Sequence, residues 1–239
     1  MYPREERFER TESLIGKEAL SKLLFSRVAV FGLGGVGGYS VEALVRAGIG
    51  ELVLIDSDKV DISNLNRQII ATEDTVGMKK TEAARRRAES INPDIKITEL
   101  PIFVSEENVE EILKEAKPDY IIDAIDTVPS KTALIVAAHK LNIPIISSMG
   151  TGNKLNPSLF KIVDISKTDT CPLAKAMRKT LREKGIAHTD VLYSSEKPIE
   201  PQNCEIKEGR RTPASISFVP SVAGLLLGGY VIKKLTGIF

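Results

Sequence analysis

The chain has 239 residues, with 33 lysines and arginines against 32 aspartates and glutamates and a formal net charge of +1 at pH 7. A charge this close to zero excludes indiscriminate coating of a polyanion, so any basic site must be local. The length suits one large domain, and 42% hydrophobic residues exclude an intrinsically disordered chain.

The two cysteines, Cys171 and Cys204, form neither a C-x-x-C pair nor a disulfide-rich pattern. This usage indicates a reducing compartment and argues against structural zinc. The N-terminal sequence MYPREERFER lacks the apolar stretch of a signal peptide, so we expect a cytoplasmic protein. The longest apolar run, Phe218 to Ile232, contains proline and glycine and is shorter than the roughly 18 to 20 residues that span a bilayer. It predicts a buried helix and no transmembrane segment.

Runs of strand length alternate with segments that carry apolar residues at spacings of three and four, the pattern of helices packed on a sheet. The predicted strands are Val28–Phe31, Leu52–Ile55, Ile95–Leu100, Tyr120–Ile125, Ile143–Ser147 and Leu159–Ile165. The predicted helices are Ser40–Ala47, Lys79–Ile91, Glu106–Ala116 and Lys131–Leu141. The alternation predicts a mostly parallel sheet flanked by helices over roughly residues 27 to 150.

After Gly150 the pattern changes. Leu159–Ile165 is followed by a basic helix, Leu173–Lys184, by polar loop sequence over 188–213, and by an apolar helix that begins near Pro220. We therefore expect an α/β fold in one domain, 1–239. Its core is a Rossmann-like, mostly parallel sheet over 1–150, and 151–239 is a C-terminal extension with antiparallel strand, basic helix and apolar helix.

A glycine-rich turn follows the first predicted strand. Gly32, Gly34 and Gly37 satisfy G-x-G-x-x-G, with Gly35 between them, and a helix pattern follows. Such a turn lets backbone amides and the positive end of a helix approach a phosphate. Asp56 ends the second strand, where an acid accepts hydrogen bonds from ribose hydroxyls. Taken alone, this pattern fits a nicotinamide-dependent dehydrogenase equally well.

The segment after Asp56 separates these interpretations. It runs Asp56-Ser-Asp58-Lys-Val-Asp-Ile-Ser-Asn64-Leu-Asn-Arg67-Gln68, and Lys79-Lys80 opens the next helix. An arginine supplies a planar fork for phosphate oxygens, and a lysine supplies a point charge. This set of side chains suits a triphosphate whose α-phosphorus is attacked, because charge develops there and on the departing pyrophosphate.

Asp126 follows the strand Tyr120–Ile125, at the edge of the sheet where ligands of open α/β folds bind. A carboxylate there suits a magnesium ion. Alternatively, Asp126 caps the next helix and binds no metal. Asp123 is a competing candidate for the metal ligand.

The motifs GLGGVGG, Asp56, SNLNRQ, VGMKK and AIDT resemble the ATP-dependent adenylating superfamily of ubiquitin-activating enzymes and their ThiF/MoeB-type bacterial relatives, which charge sulfur carriers. The resemblance implies ATP and Mg²⁺ as cofactors. It implies that Asp56 holds the ribose, that Asp126 binds magnesium, and that the phosphates are surrounded by Asn64, Arg67, Gln68 and Lys80, the last in preference to Lys79. Asp58 lies in the same nucleotide-binding segment.

The stretch Arg7-Phe-Glu-Arg10 resembles the N-terminal motif of that superfamily, whose arginine reaches into the active site of the neighbouring subunit. The resemblance implies this role for Arg10 and implies a homodimer. A solvated run of charges is the other interpretation of this stretch.

The second half lacks the paired C-x-x-C motifs common among enzymes that activate sulfur carriers. Its basic helix places Lys175, Arg178 and Arg182 on one face, a candidate RNA contact or simply a solvated amphipathic helix. The segments Val191–Pro198 and Ser217–Pro220 resemble the tRNA threonylcarbamoyladenosine dehydratase branch. That resemblance implies ATP-dependent cyclisation of threonylcarbamoyladenosine in tRNA through an acyl adenylate, with residues 151–239 serving acceptor binding and dimerisation.

Three alternatives stay open: adenylation of a ubiquitin-like sulfur carrier, an NAD-binding dehydrogenase or redox sensor, and a catalytically silent nucleotide-binding module. Also open are a monovalent cation, Na⁺ or K⁺, near the site and an association with a cysteine desulfurase or sulfur acceptor protein. The near-neutral charge gives no indication of DNA binding.

Overall fold

The computed structural model describes residues 4–202, 206–207, 210–211 and 213–238. Cys204 lies outside them. The helices are α1 Arg4–Ile15, α2 Lys17–Phe25, α3 Gly37–Ala47, α4 Lys80–Ile91, α5 Val109–Ala116, α6 Val128–Lys140, α7 Pro172–Glu183 and α8 Phe218–Thr236. The strands are β1 Arg27–Phe31, β2 Glu51–Ile55, β3 Lys96–Leu100, β4 Tyr120–Asp123, β5 Ile145–Ser148, β6 Phe160–Asp164, β7 Asp190–Ser194, β8 Ile206–Lys207 and β9 Arg210–Arg211.

The main sheet has seven strands in the order β3-β2-β1-β4-β5-β7-β6, and only the last pairing, β7 with β6, is antiparallel. The α/β, mostly parallel prediction is confirmed. Val28 of β1 pairs with Leu52 on one side and with Tyr120 on the other. After β1 the chain therefore continues toward one edge of the sheet, and after β4 it continues toward the other. This divergence opens a crevice at the carboxyl ends of the two strands.

Side chains of β1 alternate between two cores, as the period of a strand requires. Val28 and Val30 join the core under α2, α3, α4 and α8. Ala29 and Phe31 join the core under α5, α6 and α7. The molecule is thus a sheet between two helical layers, and its central strands are buried on both faces.

The interpretation of 188–213 as polar loop is wrong at its start, where β7 lies inside the sheet between β5 and β6. The apolar run between Asp190 and Ser194 has only three residues, which is too short to predict a strand. Asp190 accepts a hydrogen bond from Tyr230, and Ser194 is fully buried. Contacts with neighbouring elements therefore stabilise this strand. Residues after 150 thus complete the same sheet as the core.

Helix α8 has 19 residues, four more than the apolar run suggested (19 against 15), and by length and composition it could cross a membrane. The length argument against a membrane span is therefore wrong. One face of the helix packs closely on α3: a Cβ on Gly224 would lie 2.2 Å from the Val36 carbonyl oxygen, and Ser40 Oγ donates to the Gly224 carbonyl at 3.0 Å. Val219 and Leu227 are buried on this face, whereas Leu225 is 47% exposed.

Cys171 is buried: it is 3% exposed and belongs to the core beneath α7. Its backbone precedes Pro172, the first residue of that helix. The thiol thus fills core volume, as small apolar side chains do.

Candidate functional site

A cavity of about 740 Å³ lies at the carboxyl edge of the sheet, where β1 and β4 diverge. Most of the predicted site residues line it, namely Gly32, Gly34, Gly35, Asp56, Asp58, Asn64, Arg67, Gln68, Lys80 and Asp126. The predicted residues outside its lining are Gly37, Arg10, Lys175, Arg178 and Arg182. Five separate segments of sequence thus meet at one crevice, because the parallel strands all end on the same side.

The glycine turn is closed by contacts that no side chain would permit. Gly32 has a φ of +85°, and a Cβ there would lie 2.7 Å from the Ala124 carbonyl oxygen. A Cβ on Gly37 would lie 1.8 Å from the Gly32 carbonyl oxygen. Gly37 consequently packs the start of α3 against the turn, while Gly34 and Gly35 present backbone to the cavity.

Asp56 is held in place by backbone amides on either side of the cavity. Its Oδ2 accepts from Leu33 N at 2.7 Å, and its Oδ1 accepts from Asp58 N at 2.8 Å. Burial raises the pKa of Asp56, and the nearby ammonium of Lys80 opposes part of that rise. The carboxylate is therefore fixed next to the glycine turn before any ligand arrives.

Lys80, the preferred lysine, enters the cavity, whereas Lys79 is exposed. Lys80 Nζ lies 2.7 Å from Asp58 Oδ2 and 3.9 Å from Asp56 Oδ2. Only 9% of the Lys80 side chain is exposed, against 64% of that of Asp58. Because the nearer partner is solvated, an anion in the cavity can replace it at modest cost.

The loop between β2 and α4 is stiffened by a short helical turn, Ile62–Asn64, whose start is capped by Asp61. Asn64 Oδ1 accepts from Asp61 N at 3.2 Å, so this amide shapes the loop as well as lining the cavity. Arg67 Nη1 donates to the Ser63 carbonyl at 2.8 Å and to Asn66 Oδ1 at 2.9 Å. These bonds orient the guanidinium at the cavity wall.

Gln68 carries a polar atom that the folded chain leaves without a partner. Its side chain is 6% exposed, and Oε1 has no hydrogen-bond donor. A buried polar atom without a hydrogen-bond partner lowers the free energy of unfolding by on the order of 1–3 kcal/mol. Because Gln68 lines the cavity, a bound molecule with a donor group would remove that cost.

The two aspartates near the end of β4, Asp123 and Asp126, have opposite environments. Asp126 is exposed and lines the cavity. The strand ends at Asp123, which is fully buried and lies 2.7 Å from Lys131 Nζ, with Ser147 Oγ donating to it. Asp123 as a competing metal ligand is therefore wrong, because its carboxylate is enclosed and already bonded.

Sequence reasoning missed the residues at both ends of the cavity. Ile102, Phe103 and Val104 follow β3 and form one end, and Phe103 is 60% exposed. The opposite end is made of small and apolar residues from distant parts of the chain, Ser148, Met149, Gly150, Thr151, Gly152, Leu173, Pro213 and Ser215. The available signal was a phenylalanine shortly after a predicted strand, because ligands bind at the carboxyl edge of a parallel sheet.

The basic helix differs from its prediction at one position. Lys175 and Arg182 of α7 are exposed, but Arg178 is half-buried and its guanidinium donates to the Thr168 carbonyl and hydroxyl. Arg178 therefore borders the buried stripe of the helix and is partly engaged within the chain, and its assignment as an RNA contact stays a prediction. Lys179, one residue further, is exposed instead.

Arg10 lies on α1 and is exposed, and it does not line the cavity of its own chain. Arg7, its neighbour in the motif, donates to Asn92 Oδ1 at 2.9 Å and lies 3.4 Å from Asp94. One arginine therefore fastens α1 to the end of α4, while the other projects into solvent.

A family model described as ThiF family matches residues 8–238. The chain belongs to the ThiF family. The tRNA threonylcarbamoyladenosine dehydratase of Bacillus subtilis is 45% identical over 239 residues, which cover 95% of this ThiF-family chain and 94% of that protein. The crystal structure of the Escherichia coli tRNA N6-threonylcarbamoyladenosine dehydratase in complex with ATP superimposes with a TM-score of 0.89 at 33% identity, covering 98% of this chain and 95% of that one.

A sulfur-carrier relative matches over a shorter span. The sulfur carrier protein ThiS adenylyltransferase of Bacillus subtilis is 38% identical over 151 residues, 62% of this chain and 44% of that protein. The likeness to the dehydratases extends over nearly the whole chain, and the likeness to this adenylyltransferase does not.

Proposed function

We propose that this ThiF-family protein uses ATP to dehydrate threonylcarbamoyladenosine in tRNA, closing the modification into a ring through an acyl adenylate. One observation carries the proposal: a single cavity joins a phosphate-binding turn and its cationic loop to an uncharged end beyond β5, in a chain 45% identical to a tRNA threonylcarbamoyladenosine dehydratase over 95% of its length. ATP enters at one end of this cavity and the modified nucleoside at the other.

The nucleotide end suits ATP group by group. Phe103 and Ile102 offer an apolar surface for the purine. Asp56, fixed by two amides, accepts from the ribose hydroxyls. Lys80 exchanges its solvated partner Asp58 for a phosphate, and the fork of Arg67 faces the same anion.

Asp126 would hold a magnesium ion, because it is an exposed carboxylate at the phosphate end and Mg²⁺ characteristically binds one or two carboxylates together with substrate phosphates. The ion supplies charge neutralisation on the phosphate oxygens. A monovalent cation, Na⁺ or K⁺, near the site stays a prediction.

The chemistry follows from charge. The substrate carboxylate attacks the α-phosphorus, the bond to pyrophosphate breaks, and Arg67 and Lys80 stabilise the negative charge on the departing group. A nucleophile of the same modification then attacks the acyl carbon, and AMP leaves with the carboxylate oxygen. The second step needs no enzyme thiol, since holding the two groups together supplies much of the rate.

The exposed basic residues of α7 provide the contact with the tRNA backbone. Lys175, Lys179 and Arg182 project from a helix whose second residue, Leu173, lines the uncharged end of the cavity. Phosphates of a bound loop can therefore meet these cations while the modified base enters the cavity. We assign residues 151–239 to acceptor binding within one domain.

We also propose a homodimer in which Arg10, exposed on α1, reaches the cavity of the partner subunit. The assembly would act in the cytoplasm, where its tRNA substrate resides.

Mass spectrometry tests the function directly. The protein is incubated with ATP, magnesium and tRNA that carries threonylcarbamoyladenosine. The expected result is loss of one water from that nucleoside, with one AMP formed per event. AMP formation with a carrier protein ending in Gly-Gly, and none with the tRNA, would instead identify a sulfur-carrier adenylating enzyme. Tight binding of NADH without ATP would identify a nicotinamide site.

A further inference from the structure

A fully buried ion pair lies directly behind the cavity wall. The side chains of Lys131 on α6 and Asp123 at the end of β4 have no exposed surface, and Lys131 Nζ lies 2.7 Å from Asp123 Oδ2. Neither residue lines the cavity. A buried pair of this kind gives little net stability compared with apolar residues of the same volume, so its presence calls for another reason.

The carboxylate of Asp123 links three different elements. Its Oδ1 accepts from Ile125 N at 3.0 Å, in the turn that leads to Asp126. Its Oδ2 accepts from Lys131 on α6 and from Ser147, its direct neighbour on β5. The position of the Asp126 turn is therefore tied to both α6 and β5.

Lys131 makes the same connection from the other side. Its ammonium donates to Asp123 and, at 3.1 Å, to Ser147 Oγ. Residues next to these two partners face the cavity: Ser130 precedes Lys131, and Ser148 follows Ser147. The acceptor end of the cavity begins at Ser148, and the metal-binding aspartate lies three residues after Asp123. The ion pair thus joins the nucleotide half to the acceptor half.

We propose that Lys131, through Asp123 and Ser147, is a positioning residue that sets the distance between the Asp126 turn and the acceptor segment 148–152. The inference rests on the proposed adenylation at this cavity. Lys131 touches neither ATP nor the modified nucleoside, and it acts through the alignment of the carboxylate with the α-phosphorus. A misplacement of about 1 Å in such an alignment can reduce the rate on the order of 100-fold.

The test separates positioning from stability with two variants of the full chain. Lys131→Met leaves the Asp123 charge buried without its cation, so both stability and turnover should fall. The double variant Lys131→Met/Asp123→Asn buries no charge, so the urea midpoint should recover toward that of the wild type. Its kcat for AMP formation with tRNA should remain about 10- to 100-fold low, with the dissociation constant of ATP unchanged.

A double variant that recovers stability and also turns over at the wild-type rate would overturn the proposal, because the pair would then be only structural. So would a loss confined to ATP affinity. If the double variant does not fold, Ser147→Ala decides: it keeps both charges and removes one link to β5. We expect it to lower kcat with an unchanged ATP dissociation constant, and wild-type turnover would overturn the proposal. Absence of AMP from the wild-type protein with tRNA would instead count against the proposed function.

Discussion

The two ends of the cavity are built in different ways. Most charged groups of the nucleotide end come from one loop and its flanks, and three of them are already bonded within the chain: Asp56 to two amides, Lys80 to Asp58, and Arg67 to its own loop. The acceptor end combines small and apolar residues from β5, α7 and the segment before α8. It carries no charged side chain among the described residues that line it.

We therefore expect the nucleotide end to serve the reaction and the acceptor end to select the substrate. Phosphate binding needs fixed charge, which a compact loop can hold ready with little reorganisation. Recognition of a modified nucleoside needs shape, which several elements must supply together; in the proposed function, the exposed cations of α7 add charge outside the cavity for the tRNA backbone. We therefore expect substitutions at the two ends to affect separate steps.

The largest expected effect is at Lys80. Lys80→Ala removes a buried cation from the phosphate end, so AMP formation should fall by about 10³-fold, as for loss of one group that stabilises transition-state charge. Lys79→Ala is the matched control, because Lys79 is adjacent and exposed. Quantification of AMP measures both variants. Equal activity of the two would contradict the placement of Lys80 in the site.

A smaller effect is expected on the acceptor side from α7. The pair Lys175→Glu and Arg182→Glu should weaken tRNA binding by about 10-fold and flatten its salt dependence, with unchanged ATP affinity. Filter binding over a series of salt concentrations gives both quantities. Lys96→Glu, exposed on the far edge strand β3, is the control for net charge when each substitution is also made singly. Arg178→Ala should instead lower the urea midpoint, since its guanidinium is bonded to Thr168.

Two apolar truncations compare the cavity ends directly. Phe103→Ala should weaken ATP binding about fivefold, corresponding to roughly 1 kcal/mol of lost apolar contact, with KM for tRNA unchanged. Leu173→Ala should raise KM for tRNA by a similar factor and leave the ATP dissociation constant unchanged. If either truncation changes both constants equally, the cavity does not divide as proposed.

The smallest effect concerns Gln68. Gln68→Met removes the unpaired Oε1, so the free energy of unfolding without nucleotide should rise by about 1 kcal/mol. The additional stabilisation by saturating ATP should shrink, because the acceptor for the ligand is gone. Urea titrations with and without ATP measure both changes. Lower stability combined with full ATP stabilisation would show that Gln68 is structural.

The residues predicted for the nucleotide end do line one cavity, and the sequence could group them because they are local. Asp56, Asn64, Arg67, Gln68 and Lys80 lie within one loop and its flanks, so spacing and residue type were enough to bring them together. The acceptor end could not be predicted, since Ser148, Leu173 and Pro213 come from separate elements and have no chemical signature of their own.

Three differences from the sequence predictions have a common cause in tertiary packing. β7 was missed because only its two neighbouring strands make a short segment bounded by Asp190 and Ser194 extended. Arg178 was assigned to the solvent face of α7, but its position borders the buried stripe and Thr168 binds it. Asp123 was a competing metal ligand by its position at the end of a strand, but Lys131, eight residues further along the chain, donates to its carboxylate.

The amino-acid sequence by itself determined the alternation of strands and helices, the glycine turn and the cationic loop, because hydrophobic period, glycine spacing and charge are local properties of the chain. Only the tertiary structure decided which carboxylate faces the cavity and which is enclosed by Lys131. It also decided which basic residues of α7 are exposed. These are questions of burial, and burial depends on segments that meet only when the sheet is complete.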